Sequence, residues 1–158
     1  MDNNVLRRGR PHVIIFLRLV LGGVMLYAAY TKLREPWQVF AMSIAAYGLL
    51  PEWAVWVAAR ALPWLELVLA VVIISGYGLR YSSLAITGLL GIFFAVMLYS
   101  FARGMGIDCG CFGPGDALGP RSLLRDGVLL AASILLTFLC FHGRAMGNPD
   151  GRKIQETN

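Results

Sequence analysis

Charge is what this sequence has least of. Asp, Glu, Lys and Arg make up 15% of its 158 residues, against 58% hydrophobic residues. A water-soluble domain carries about a quarter charged residues, so much of this surface must face something other than water. Histidine is limited to His12 and His142, and the three cysteines, Cys109, Cys111 and Cys140, cannot all pair within one chain. There is also no Lys/Arg-rich stripe with interleaved aromatics, so the net charge of +5 does not point to nucleic acid. Arg7, Arg8 and Arg10 stand instead just before a long apolar run, the pattern of a positive-inside topology signal.

What is present is four apolar runs of membrane-spanning length. The first goes from Val13 to about Leu33. About 20 residues at 1.5 Å each cross a hydrocarbon core of roughly 30 Å, which is longer than the apolar part of a cleaved signal peptide. The second runs from about Trp53 to Ser75, the third from Tyr81 to about Ala102, and the fourth from Ser122 to about Phe141. Glu35-Pro36 ends the first helix. Trp37, Phe40, Ala41 and Ile44 then recur at helical spacing, which predicts a short helix lying in the membrane interface between helices 1 and 2. Gly76-Tyr77-Gly78 predicts a tight turn, and Gly88 and Gly91 are expected to let the third helix approach a neighbour closely. The expected fold is therefore all-α, a bundle of four transmembrane helices over residues 13–141. A segment 1–12 precedes it and a mobile polar tail 142–158 follows, with no soluble domain after the last span.

Orientation follows from the positive charges. With the N-terminus inside, the inner segments hold Arg7, Arg8, Arg10, Arg80, Arg144, Arg152 and Lys153, and the outer ones Lys32, Arg34, Arg60, Arg103, Arg121 and Arg125. Seven against six is a slight bias, and the arginine cluster before the first span adds to it, because the first helix usually dominates. Both termini are then cytoplasmic, and the loop 103–120 faces the periplasm, where disulfides persist.

That loop carries Asp108-Cys109-Gly110-Cys111-Phe112-Gly113. Two cysteines one residue apart close a small disulfide ring if their Cα atoms come within about 4.4–6.8 Å, and a constrained disulfide of this kind tends to exchange. Arg103, Arg121 and Arg125 nearby favour the thiolate. Other readings stay open: a structural disulfide stapling a glycine-rich loop, a soft-metal site, or an idle reduced pair. Both histidines lie at the predicted cytoplasmic ends, so no metal is expected. Cys140 is roughly 27 Å away along the fourth helix and reads as a small buried hydrophobe.

Charges inside the spans are costly in lipid and normally face the bundle interior. Lys32 ends the first span, Arg60 and Glu66 lie in the second, and Arg125-Asp126 lie one turn into the fourth. These five are expected to converge beneath the cysteine loop, either as an ion-pair network that sets helix register or as a functional cluster. Arg18, nearer the cytoplasmic end, is expected to snorkel.

The sequence resembles the MauE branch of the DoxX-like membrane proteins. The resemblance is carried by Arg18, Gly22-Gly23, Tyr27-Ala28-Ala29 and Lys32-Leu33, by Leu62-Pro63-Trp64-Leu65-Glu66-Leu67, by Arg103-Gly104, by Ile107 to Gly113 and by Arg125-Asp126. It implies a four-helix protein of the bacterial inner membrane with a role in methylamine utilisation or a related periplasmic pathway. It also implies thiol–disulfide exchange through Cys109 and Cys111 with a separate thioredoxin-like partner, supported by the charged residues from Lys32 to Asp126. Quinone is the carrier that the broader group suggests, with Glu66, Arg60 and Asp126 managing protons. The competing expectation is a non-enzymatic assembly factor or accessory subunit, with a structural disulfide.

Overall fold

The computed structural model describes residues 3–104 and 118–142, with side chains from His12 onward. Five helices follow one another: α1 (Asn3–Arg34), α2 (Trp37–Ala46), α3 (Glu52–Ser75), α4 (Leu79–Ala102) and α5 (Pro120–His142). Among the described residues there is no strand. Four of the helices contain stretches long and apolar enough to cross a membrane: His12–Arg34, Glu52–Ser75, Leu79–Ala102 and Pro120–His142. These match the four expected spans. α1 nevertheless begins at Asn3, ahead of Val13, because hydropathy marks where a chain enters lipid rather than where its helix starts.

The four long helices run alternately up and down. α1 packs on α3 and α5, and α4 packs on α5 and α3, so α1 faces α4 across the diagonal. α2 lies against α3 and touches α1. Pro36 precedes α2 in an extended conformation, with ψ 132°, as a proline-bounded break between helices requires. Trp37 at the start of α2 meets Trp56 of α3 with ring centroids 5.3 Å apart.

The core is narrow and set by residues at helical spacing. On α1 the buried stripe is Leu17, Leu21, Met25, Ala28 and Lys32; on α3 it is Val55, Ala59, Pro63, Glu66, Ala70 and Ile73. Spacings of three and four keep each set on one face. Outward residues such as Phe16, Leu19, Trp64, Val68, Ile92 and Leu124 are large, apolar and exposed, as a lipid-facing surface demands.

Lipid tails are as apolar as leucine, so small residues and hydroxyls hold such helices together. Between α4 and α5, Thr87 and Thr137 meet hydroxyl to hydroxyl at 3.0 Å. Each hydroxyl also lies within reach of a carbonyl one turn back, Thr87 with Ser83 at 2.8 Å and Thr137 with Ser133 at 2.9 Å. Each hydroxyl has one proton, so these three contacts share two donors.

Two details differ from expectation. Gly88 has open space where a Cβ would be, and Gly91 has only Leu130 at 4.0 Å. The close approach falls at Gly22 of α1, where a Cβ would run into the side chains of Ile74 and Ile73. Arg18 does not simply snorkel: its Nε donates to the Ile73 carbonyl at 3.0 Å and its Nη2 to the Ile74 carbonyl at 2.8 Å. These carbonyls belong to the last turn of α3, where the Gly76 N–H also reaches the Ile73 oxygen at 3.2 Å, and a cation at such a helix end suits the helix dipole. The turn closes at Gly76, whose φ of 82° is left-handed and whose missing side chain makes room for the guanidinium.

Candidate functional site

The inward stripes carry charge at one level of the bundle. Lys32 continues the α1 stripe, Glu66 the α3 stripe, and Asp126 the α5 stripe that includes Ser122, Ser133 and Leu136. Lys32 Nζ lies 2.5 Å from Glu66 Oε1, with the side chains 3% and 4% exposed. The ammonium is also flanked by two rings, its nitrogen 5.1 Å from the centroid of Phe40 and 5.5 Å from that of Phe93. At such distances a desolvated cation is attracted to the ring faces.

Asp126 comes in from the helix diagonal to α3. Its Oδ1 accepts from Arg125 Nε at 3.2 Å. Its Oδ2 and the Oε2 of Glu66 are buried without a hydrogen-bond partner. Both residues, together with Lys32, line one cavity of about 40 Å³, closed otherwise by apolar side chains including Val24, Leu90 and Leu129. That is room for water, and buried carboxylate oxygens without a donor are costly. An ammonium and two carboxylates around one small, otherwise apolar cavity form a set that can accept, hold and pass protons.

Of the other two charges expected in this cluster, Arg125 reaches it through Asp126 and Arg60 stands outside it. Arg60 is exposed and its guanidinium lies 4.2 Å over the Trp37 ring, tying α3 to α2. Arg103 is exposed after α4 and sits 4.9 Å over Tyr99. Arg125 is at the edge, its side chain 37% exposed. Asp108, Cys109 and Cys111 lie outside the described residues. Cys140 is at the opposite end of α5, where its carbonyl accepts from Arg80 Nε at 3.3 Å. The rings flanking Lys32 carry no distinguishing signal in the sequence: Phe40 reads as part of an interfacial helix, and Phe93 sits in an unbroken apolar run.

Residues 10–139 match the family described as Methylamine utilisation protein MauE. The chain belongs to the MauE family. The stretch matched to MauE takes in all three inward charges and the segment that contains Cys109 and Cys111. A methylamine utilization protein MauE from Methylorubrum extorquens is 35% identical over 103 residues, covering 65% of this chain and 55% of that protein. A second, from Methylophilus methylotrophus, is 34% identical over 125 residues, covering 75% of this chain and 60% of that protein. The chain thus spans a little over half the length of these MauE relatives. No solved structure matches it.

Proposed function

We propose that this membrane protein carries out thiol–disulfide exchange through Cys109 and Cys111 on behalf of a periplasmic thioredoxin-like partner, as a step in protein maturation of the kind methylamine utilisation needs. The observation that carries the reading is the Asp108-Cys109-Gly110-Cys111-Phe112-Gly113 segment between α4 and α5. It leads into α5, the helix that carries Asp126. Such a dithiol exchanges by thiolate attack on a disulfide sulfur. In the oxidising direction, a partner thiolate attacks the Cys109–Cys111 disulfide and forms a mixed disulfide. The second partner thiol then resolves it, leaving the partner disulfide and a reduced Cys109/Cys111 pair. Two electrons and two protons leave that pair when it is reoxidised, and a membrane quinone takes up both to become quinol. In this reading Glu66 and Asp126 relay protons between the carrier and the outer face. The protein sits in the bacterial inner membrane with both termini cytoplasmic.

Trapping tests this. In intact cells, Cys111→Ala should leave Cys109 linked to a soluble thioredoxin-like protein that mass spectrometry identifies. If Cys111→Ser leaves disulfide formation in the partner untouched, the exchange role is wrong and a structural, accessory role replaces it.

A further inference from the structure

α2 packs on α3 and touches α1, yet it makes no backbone approach to α4. The gap is a chamber of about 290 Å³. Phe40 and Ile44 of α2, Ala58 and Leu62 of α3, and Phe93 and Met97 of α4 wall it, and Lys32 forms its inner end. At the other end it opens beside Leu49, Leu50 and Ile92, which line it and are themselves exposed to the surroundings of the bundle. A mostly apolar chamber of this size, with one charged polar group, Lys32, and the hydroxyl residues Ser43 and Tyr47 in its lining, has the form of a small-molecule site.

The charged group is unusual in what it lacks. An ammonium has three N–H donors. Among the described residues, Lys32 has one oxygen acceptor, Glu66 Oε1. Its nitrogen lies under the rings of Phe40 and Phe93, which line the chamber. With its side chain 3% exposed, it has no bulk water to satisfy the rest. An oxygen acceptor arriving through the chamber would complete it.

We propose that this chamber binds a membrane-soluble ring carbonyl compound of the quinone class. One ring carbonyl accepts a hydrogen bond from Lys32 Nζ, the ring packs among Phe40, Phe93 and Met97, and the tail leaves past Leu50 and Ile92 into the bilayer. A neutral carbonyl supplies the acceptor without bringing a further charge into a desolvated site, which a phospholipid headgroup cannot do. Aromatic walls favour a flat ring. The inference deepens the quinone part of the function proposed above by giving it a place; it does not depend on the cysteines.

The test uses the full chain in phosphatidylcholine nanodiscs and a short-tailed azido-1,4-benzoquinone as photolabel. The label should map to Ile44, Leu62 and Met97, and excess unlabelled short-tailed benzoquinone should displace it. Ala58→Phe, which fills the chamber, should cut labelling about tenfold or more. The double variant Lys32→Met, Glu66→Leu, which removes the donor without stranding a charge, should weaken it about tenfold. Label found instead on lipid-facing Phe16 or Leu124 in the unaltered protein overturns the proposal, whether or not the variants fold. So does a phospholipid chain that keeps the chamber against excess benzoquinone. Cys109→Ser, Cys111→Ser should label as the native chain does, so a failed partner-trapping experiment and a failed binding experiment remain separate results.

Discussion

At the scale of single residues, three charges decide what the interior of this bundle is. Lys32, Glu66 and Asp126 were each visible in the sequence as charges within apolar runs. Their grouping was legible too, because each falls on the same helical stripe as small or apolar core residues. Arg60 illustrates the limit of reading by depth alone. It lies six residues from Glu66, which turns it roughly 120° away around α3, and it meets Trp37 on the outside instead. Removing one partner of a buried pair strands the other. Lys32→Met should therefore destabilise the protein by about 3–5 kcal/mol, and adding Glu66→Met should restore most of it. Unfolding in mixed micelles followed by circular dichroism checks this; equal losses in the single and double variants would show that pairing is not what Lys32 contributes.

At the scale of helices, the boundaries were readable because charges, Pro36 and the Gly76-Tyr77-Gly78 turn interrupt the apolar runs. Which faces meet was not readable. Gly88 and Gly91 have the composition of a packing face and do not pack closely, whereas Gly22 does. A glycine looks the same in sequence whether it points at a helix or at lipid. The contrast is testable: Gly22→Leu should destabilise the α1–α3 contact by about 1–3 kcal/mol through overpacking, while Gly88→Leu, into open space, should leave unfolding unchanged. Equal effects at both positions would contradict the packing. Arg18 was equally out of reach, since its acceptors lie 55 and 56 residues away at the end of α3. Only the assembled bundle brings that helix end beside the middle of α1.

At the scale of the whole molecule, the up-and-down bundle places Cys140 and the start of α5 at opposite ends, and the proposed orientation puts the α5 start outside. A membrane-impermeant maleimide applied to intact, gently reduced cells should modify Cys109 and Cys111 and spare Cys140; the reverse pattern would invert the topology. Four spans are enough to make the bundle but not to close it. α2 lies along α3 at one end of the bundle and stops short of α4, leaving an entrance beside the exposed Ile92. A ligand using that entrance is drawn from a two-dimensional reservoir, and its occupancy follows its mole fraction among the lipids rather than its concentration in water. Solubilising the protein dilutes that reservoir into micelles. The same molecule that fills the chamber in the membrane would then be washed away during purification, unless it is added back in proportion to the detergent.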